Sequence, residues 1–589
     1  MQNTYKPQQL CPFKLKKVNR AFGRILVALA ITGTSLFAQG TAHVIAVNQV
    51  GYKAGLPKRF TAPLTSDGAI FSIKTVGSDE ALYQGQVSSK IGDFSDFKPI
   101  DSKEHYVVEL KGGELAAATS DPFLIRGELY EEQFLQSAVD FLIDTRAVVG
   151  THPSAFGGCP WRDGTYYDAI LPSLVLFLMA YPEEIAAMPR QIDWASDRAR
   201  ILSPDFKFDA KNRGTGPALQ TTRNYYELEP PKDNAPDVVQ LIHWGAGYYL
   251  SNPVTADPSN DPAGKKIHSQ TIEQLSYVIW AWPHLEQWLP QSFYDQVLGL
   301  CFEQWEKIGA LGIPQKWHMS SYQLKTDKWG GMLHPYKGRH APGHSIVPNI
   351  LMHEVAKREG REDAARYLDA AVAQAAWIIE NIDWNDPRTT KGHRVGEHRT
   401  IPNLVWLLQK YPEHAPEGLR EKIADWVKVA VSRSDNLWDF RRYDMESHWT
   451  IPKMNDLGNT IGFPSIALAA SWALKEDEAA LRDRLRITAV GAMDHLFGRN
   501  PKLAAAPSRP QLGFLEVERG WPKEYKLNVC ARLEDARGSL SSLPGSEMYP
   551  FKPDSEEFRH PEGWVNYGAA WCISLSYLRF DALQTTPEL

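Results

Sequence analysis

Residues 362–382 read EDAARYLDAAVAQAAWIIENI, and this stretch indicates the fold class because its apolar side chains recur on one helical face. The apolar stripe comprises Ala365, Leu368, Ala371, Ala375 and Ile378. A helix with such a stripe buries it against neighbouring elements. The helical period begins near residue 129 and continues almost to the end of the chain, so we predict a mainly α fold.

Twelve segments carry this helical pattern, and many of them lie in closely spaced pairs. Twelve helices in paired hairpins fit an (α/α)6 barrel of six hairpins, and no short self-similar repeat favours a simple solenoid. The predicted helices are 129–146, 168–181, 235–251, 269–285, 291–309, 344–358, 362–382, 398–410, 416–433, 461–474, 478–497 and 564–579.

Long irregular stretches separate several of these helices. They are too long to serve only as connections, and loops of this length in a compact domain usually carry function. We therefore expect them to build one cleft over an end of the barrel. The stretches are 183–234, 310–343, 383–397, 434–460 and 499–563.

The segment before the helices has a different pattern. Residues 43–47, 69–73 and 105–110 alternate apolar and polar side chains between Gly and Asp turns, and 121–125 has the pattern of a last strand. This pattern is typical of a small antiparallel β-sandwich. We predict a sandwich over 43–127 and a barrel over 128–589.

The first 42 residues have the pattern of an export signal. A basic flank ends at Arg24, an apolar run covers 25–37, and small residues allow cleavage after Ala38 or Ala42. The run is short for a membrane span, although an uncleaved anchor is the alternative. We expect an exported protein, periplasmic or secreted, without stable membrane insertion after the signal is removed.

Composition narrows the function classes. The 589 residues are 43% hydrophobic and 11% aromatic and carry a formal net charge of -6, with no basic stripe for binding nucleic acid. Four cysteines follow the signal without Cys-x-x-Cys spacing, which argues against a zinc site. One or two disulfides are possible in an exported protein, but their pairing cannot be read from the sequence.

A candidate proton donor lies just before the last predicted helix. Residues 559–571 read RHPEGWVNYGAAW, so Glu562 sits on a turn marked by proline and glycine at the mouth of an apolar helix. Trp564 and Tyr567 would partly shield this carboxyl from water. Such shielding raises a carboxyl pKa and makes a proton donor usable near neutrality.

Two further acids lie in the loop before the second predicted helix. Residues 155–169 read AFGGCPWRDGTYYDA, with Asp163 inside the loop and Asp168 next to the helix. Asp168 has the position of a helix N-cap. Asp163 is either a turn former before Gly164 or a general base that activates water.

Five segments, taken in order, resemble glycoside hydrolase family 9. The opening Asn48–Tyr52 is similar to the family's Asn-Gln-Val/Leu-Gly-Tyr, and the segment 157–163 to its Gly-Gly-Trp-Tyr-Asp-Ala-Gly-Asp loop. Residues 235–244 resemble its Pro-Asp-Leu-Leu-Asp-Glu helix start, 496–501 its Leu-Gly-x-Asn-Pro, and 562–570 its Asn-Glu-x-x-x-Asp-Tyr-Asn-Ala.

The resemblance implies an immunoglobulin-like domain ahead of an (α/α)6 barrel that cleaves β-glycans with inversion. Glu562 would then be the acid. The family's loop has two aspartates, and an ungapped match puts Asp163 on the first and Tyr166 on the second, so Asp163 would serve as the base. A competing alignment uses Asp168 instead and leaves the base missing or relocated. Pro561 replaces the family's Asn, and Arg509 is a weak counterpart of its His-His-Arg segment, so this is a divergent member.

The chemistry of glycoside hydrolysis explains the need for two carboxyl groups. One protonates the leaving oxygen while the other deprotonates the attacking water, and inversion places them roughly 6.5–9.5 Å apart. Glu562 and Asp163 lie about 400 residues apart in sequence, so only the fold can bring them together.

The expected partner is a polysaccharide or oligosaccharide. Aromatic side chains stack on sugar rings, and charged side chains bind hydroxyls. The predicted substrate-binding residues are Trp161, Arg162, Tyr166, Tyr167, Trp329, His334, Arg509 and Trp564.

No catalytic metal or other cofactor is expected. The histidine-rich run His334, His340, His344 and His353 lacks fixed ligand spacing. A structural calcium ion held by loop carboxylates near Asp444 and Glu446 stays open.

Two other functions stay open at this point. A polysaccharide lyase on an α-barrel could use Tyr336 or His334 as base and Arg339 to neutralise a uronate. A glycan-binding protein that kept the fold and lost the base is the second alternative, because the second aspartate is missing. The fold alone does not choose among these functions.

Overall fold

The structure is a computed structural model. It describes residues 45–100, 103–111, 117–144, 146, 160–161, 169–206, 215–251, 269–312, 343–385, 399–441, 456–499, 565–583 and 586–587. All these residues belong to one compact unit. The chain is mainly helical, with β-structure near its N-terminus, as the sequence predicts.

Sixteen α-helices lie in the described ranges. In chain order, α1 to α16 span Leu129–Asp144, Ile170–Ala180, Pro182–Ala187, Trp194–Leu202, Thr215–Tyr225, Asp237–Ser251, Ser269–Trp280, Trp282–Leu285, Gln291–Trp305, Ile346–Arg358, Ala365–Asn381, Ile401–Lys410, Leu419–Ser432, Asp456–Trp472, Ala479–Asp494 and Val565–Leu583.

Six of these helices form a closed ring. In order around the ring, α2, α7, α10, α12, α14 and α16 each contact the next, and α16 returns to α2. Each is preceded in the chain by a helix that packs outside the ring, namely α1, α6, α9, α11, α13 and α15. This alternation of outer and inner helices is an (α/α)6 barrel, and the prediction is confirmed.

Burial distinguishes the inner helix α2 from the outer helix α11. Helix α2 is apolar around its whole circumference, and every residue except Met179 is buried. The outer helix α11 buries only one stripe, which runs from Tyr367 to Ile378, and leaves its other face in solvent. A helix that is apolar all round needs partners on every side, whereas a striped helix needs one packed side.

The prediction of an irregular stretch over 183–234 is wrong, because α4, α5 and most of α3 lie within it. Helix α3 has a proline at its first position, where the missing N–H costs nothing. Helix α4 begins after Asp193, whose side chain accepts a hydrogen bond from Ser196 N at 2.9 Å. These signals are local and belong to helices shorter than the twelve of the barrel.

Among the described residues, eight short strands precede α1. Strands β1 to β8 span Gly51–Lys53, Arg59–Thr61, Ile70–Thr75, Tyr83–Ser88, Ile91–Asp93, His105–Lys111, Ala118–Thr119 and Phe123–Arg126, and pair in the order β1-β8-β6-β3-β4-β5-β2, with β7 on β6. The pairs are antiparallel except β1 with β8, which is parallel. Strand β4 pairs with β3 through its first half and with β5 through its end. The predicted first strand over 43–47 is wrong in the described part, where Ala46 forms only an isolated bridge with Thr61.

Aromatic rings fill the β-core, which lies apart from the core of the barrel. The ring of Tyr52 meets Phe94 and Phe123 edge-on, with centroids 5.0 and 5.1 Å apart. The predicted boundary between the two domains at residue 127 stays a prediction.

The β-structure joins the barrel through two of the motifs on which the family resemblance rests. Asn48 Nδ2 donates to Asp494 Oδ1 at 2.9 Å, and Gln49 N donates to Phe497 O at 2.8 Å. Gly498 has φ +120°, and a Cβ there would lie 2.9 Å from Val47 O. This close approach of two backbones explains why a glycine stands at that position.

Buried charges reinforce this junction. Arg499 Nη2 donates to Asp439 Oδ2 at 2.7 Å, and Arg499 Nε donates to Thr61 Oγ1 of β2 at 3.1 Å. Arg59 also pairs with Asp439, at 3.3 Å. Arg499 and Asp439 are almost completely buried, so each needs the other as a partner.

Two of the cysteines lie in described helices. Cys301 and Cys572 are buried thiols, and neither forms a disulfide. Burial raises the pKa of the Cys572 thiol to about 12. Cys159, Cys530 and the predicted signal over 1–42 lie outside the described residues.

In the part of the chain that the structure describes, no helix combines the length and apolar character needed to span a membrane.

Candidate functional site

A cavity that is partly open to solvent lies among five of the six inner helices, and its empty space, open solvent included, is about 570 Å³. Most of its wall comes from residues at or near the N-terminal ends of α2, α7, α10 and α12, and α16 adds Ile573 and Tyr577. Because each inner helix packs against the outer helix that follows it in the chain, and α16 packs against α1, the inner helices begin at the same end of the barrel. The cavity therefore opens at that end.

A buried polar cluster forms one side of the cavity. His344 Nδ1 lies 2.9 Å from Glu273 Oε2, and the hydroxyl of Ser345 donates to the other carboxylate oxygen of Glu273. The side chains of Glu273 and His344 are each only 4% exposed. Ser345 Oγ also lies 2.8 Å from His344 Nδ1. Since the single hydroxyl hydrogen of Ser345 points to Glu273, Nδ1 of His344 carries the hydrogen in this arrangement.

The environment keeps Glu273 ionised. Burial would raise the pKa of its carboxyl, but His344 and the hydrogen bond from Ser345 act in the opposite direction, and the charge of Arg399 adds to them. The pKa of Glu273 therefore lies below its usual value. Glu273 is an anion at neutral pH and does not serve as a proton donor there.

The turn that carries His344 is fixed by its own backbone. Gly343 has φ +70°, and a Cβ at that position would lie 2.8 Å from Ile378 Cδ1. Asn403 Nδ2, at the start of α12, donates to Gly343 O at 2.9 Å. A left-handed glycine and a buried amide together set where the imidazole lies.

Three aromatic side chains complete the wall. Burial raises the pKa values of the Tyr277 and Tyr577 phenols far above their usual value, so both are neutral at physiological pH and unsuited to act as bases. Trp406 is 6% exposed, and its Nε1–H has no hydrogen-bond partner in the structure as described. A buried donor without an acceptor costs roughly 1–3 kcal/mol. Trp406 also borders a second, smaller cavity.

The predicted base loop is held at both of its ends. Trp161 Nε1 donates to Leu142 O of α1 at 2.9 Å, and Trp244 of α6 donates to Pro160 O at 2.7 Å. At the other end, Ala169 lines the cavity and has φ 55°, a left-handed conformation that is strained for a residue with a Cβ. The intervening residues 162–168 therefore connect two fixed points.

Two sequence interpretations of this loop need correction. Trp161 is 1% exposed and packs in the barrel core, so its indole offers no face on which a sugar could stack. Helix α2 begins at Ile170, and its N-cap position is Ala169 rather than Asp168. The predicted N-cap role of Asp168 is therefore wrong.

The other predicted site residues lie outside the described residues. These are the catalytic candidates Glu562, Asp163 and Asp168, and the substrate-binding candidates Arg162, Tyr166, Tyr167, Trp329, His334, Arg509 and Trp564. Their roles stay predictions. Asp444 and Glu446, the candidate calcium ligands, lie outside as well. Within the described ranges no group of three or more His, Cys, Asp and Glu side chains is placed to hold a metal ion.

Sequence reasoning missed Glu273, Arg399 and Trp406 as residues of a site. One signal was present, because Glu273 lies in a helix between the apolar, buried side chains of Ile272 and Leu275. An acid at such a position needs a specific partner. That partner, His344, lies 71 residues away, and only the ring of helices brings the two together.

No protein-family model matches the chain, and a sequence search of curated proteins found no significant match. Solved structures do match. The chain is similar to AaCel9A in complex with cellobiose-like isofagomine, at 12% identity and TM-score 0.48, over 91% of this chain and 100% of the other. It is similar to a single mutant of a thermostable endoglucanase from Alicyclobacillus acidocaldarius, at 12% identity and TM-score 0.47, over 91% and 99%. A Bacteroides ovatus GH9 structure matches at 14% identity and TM-score 0.44, over 92% and 99%.

Proposed function

We propose that the protein is a glycoside hydrolase that cleaves β-glycosidic bonds of a polysaccharide or oligosaccharide with inversion. Glu562 is the acid that protonates the leaving oxygen. Asp163 is the base that activates water, and Asp168 is the alternative base. The protein acts after export, in the periplasm or outside the cell, and needs no cofactor for the reaction.

One observation carries this proposal, namely the adjacency of α2 and α16. These helices are the first and last of the inner ring, and they contact each other along the barrel wall. Asp168 directly precedes Ala169 on the cavity wall, and Glu562 is three residues before α16. Chain connectivity thus supports a close approach of the two acidic side chains, which lie about 400 residues apart in sequence.

The strain at Ala169 and the anchoring of Trp161 support the same proposal. Non-glycine residues in left-handed conformations cluster at active sites, where the surrounding structure holds them in place. Here the strained residue follows directly on the segment that holds both candidate bases. A loop fixed at both ends is suited to hold a carboxylate at a set distance from its partner.

Variants of the three carboxyls test the assignment. Glu562→Gln and Asp163→Asn should each lower kcat by several orders of magnitude, because each removes a proton-transfer group without changing side-chain size. Asp168→Asn should retain most of the activity. Release of reducing ends from a panel of β-glycans measures the effect, and circular dichroism checks that each variant is folded.

The outcome separates the alternatives. Loss of activity in Asp168→Asn but not in Asp163→Asn would move the base to Asp168. Products that absorb in the near ultraviolet would indicate a lyase, because elimination leaves an unsaturated bond. Near-wild-type activity of Glu562→Gln would contradict the proposed mechanism.

A further inference from the structure

The cavity among the inner helices has the chemistry of a sugar subsite. Its wall combines Tyr277, Trp406 and Tyr577 with the polar cluster of Glu273 and His344. A pyranose presents apolar ring faces and a rim of hydroxyls, so it fits a cavity with aromatic walls and a few fixed polar groups.

The polar cluster is held rigidly before any ligand binds. Glu273 accepts from His344 and from Ser345, and the turn before α10 is fixed by Asn403. A buried carboxylate is costly, and simple packing would be served by an apolar side chain. Its most direct use here is to orient the imidazole of His344, which lines the cavity.

The indole of Trp406 is a second, independent indication of a ligand. It is buried and lines the cavity, and its Nε1–H has no acceptor in the structure as described. The Nε1 atom itself has almost no exposed surface, so an oxygen atom of a bound sugar would accept this hydrogen bond after a shift of the indole. An apolar ligand would leave the donor unsatisfied.

The charges of the wall favour a neutral sugar. Among the described residues that line the cavity, Glu273 supplies one negative charge and Arg399 one positive charge. The two lie close enough for Arg399 to lower the pKa of Glu273. Because these two charges compensate each other, the described part of the wall offers no excess positive charge for the carboxylate of a uronate.

We propose that this cavity binds one neutral pyranose of the glycan chain, with His344 and Trp406 as its specificity-determining hydrogen-bond partners and Glu273 as the positioning residue for His344. This inference rests on the proposed function for its ligand class. It adds to the proposed hydrolase a sugar subsite whose residues lie outside the two candidate catalytic segments.

Isothermal titration calorimetry tests the inference in the Glu562→Gln background, which should leave the glycan intact. The probes are β-linked oligosaccharides of glucose, xylose, mannose and galactose, with an oligouronide for comparison. At least one neutral probe should bind, and more tightly than the oligouronide. His344→Ala should weaken that binding about tenfold or more, and Trp406→Phe several-fold, since each removes hydrogen bonding.

The positioning role of Glu273 has its own readout. Glu273→Gln retains an oxygen that accepts from His344 Nδ1, whereas Glu273→Leu does not. The dissociation constant should therefore rise in the order wild type, Glu273→Gln, Glu273→Leu. Equal dissociation constants for the two Glu273 variants would overturn this role.

Trp406→Phe keeps the test decisive if variants of the buried cluster do not fold, because it removes an N–H that makes no hydrogen bond in the described structure. Its matched control is Trp384→Phe. Trp384 is buried away from the cavity, and its Nε1 donates to Lys422 O at 2.9 Å. The control should lower thermal stability and leave the dissociation constant unchanged.

The outcomes distinguish this inference from the proposed function. Binding in the expected order without release of reducing ends by the intact protein would contradict the hydrolase and leave the subsite standing. Release of reducing ends with unchanged affinity in His344→Ala or Trp406→Phe would overturn the subsite and leave the hydrolase standing. Failure of every neutral probe to bind, or tighter binding of the oligouronide, would also overturn the subsite.

Discussion

At Asp494, a carboxyl group with 1% exposure lies where the β-structure meets α15. Burial raises its pKa from an ordinary 3.8 to about 7, although Arg499 and the hydrogen bond from Asn48 lower it and Asp439 raises it further. Arg499 is 4.0 Å from Asp494 and makes its shorter contact, at 2.7 Å, with Asp439. Asp494 therefore binds a proton more tightly in the folded protein than in the unfolded chain.

The raised pKa of Asp494 predicts how stability changes with pH. Between about pH 4 and 7 the folded state holds a proton that the unfolded state has lost, so the free energy of unfolding falls as pH rises. The loss has a slope of up to ~1.4 kcal/mol per pH unit and levels off above about pH 7. Urea unfolding of wild type and Asp494→Asn at several pH values measures it as a difference.

Asp494→Asn provides the control, because its side chain can still accept from Asn48 and does not titrate. As the pH rises, the free energy of unfolding of the wild type should fall relative to that of the variant. A difference that stays constant from pH 4.5 to 8.5 would show that Asp494 does not change its charge in that range.

The sequence predicted the contacts of single residues least well. The family resemblance drew attention to Asn48 and Arg499, but only the fold shows that their segments contact each other. Trp161 was predicted to contact sugar because it lies in an aromatic loop, yet it packs against α1 and α6. A sequence does not report which side of a loop faces the core.

At the scale of elements, the turn that continues α15 links the β-structure to the barrel. Gly498, in the turn His495–Arg499, touches Gln49 and Val47, and Phe497 accepts from the backbone of Gln49. The turn ends at Arg499 and α16 begins at Val565, so the chain that carries Glu562 connects this junction to α16.

Gly498→Ala should destabilise this junction strongly. The added Cβ would lie 2.8 Å from Gln49 Cγ and 2.9 Å from Val47 O, in a left-handed conformation at φ +120°. Since the backbone oxygen cannot move without disturbing β-structure, we expect a loss of about 3 kcal/mol or more in the free energy of unfolding, measured in urea.

Gly360→Ala is the matched control for this substitution. Gly360 has φ +67°, but a Cβ there would meet nothing within 4 Å. It should cost only the conformational penalty of about 1–2 kcal/mol. Similar losses for the two variants would contradict the role of Gly498 in the contact between elements.

The sequence predicted the helices of the barrel best. All twelve predicted helices overlap the twelve helices of the barrel, because an apolar stripe over three or more turns is a strong signal. The helices α3, α4 and α5 and the strands β1, β2, β4, β5 and β7 were missed, since two to eleven residues give few periods to count. The parallel pairing of β1 with β8 depends on distant partners and leaves no local pattern.

At the scale of the whole molecule, closure of the inner ring explains how distant segments share one site. The chain passes through six hairpins, and the last inner helix returns to contact the first. Residues from five inner helices then line a single cavity. Helix patterns predict the number of hairpins, but they do not identify Glu273, His344 and Trp406 as neighbours of that cavity.

The proposed chemistry depends on this closure of the ring, because the closure brings together the helices that follow the two acidic segments. The most direct measurement is proton NMR of the sugar that the intact protein first releases from a β-linked glycan. Inversion predicts that the α-anomer appears first and then equilibrates with the β-anomer. Initial release of the β-anomer, or no hydrolysis of any β-glycan tested, would contradict the account.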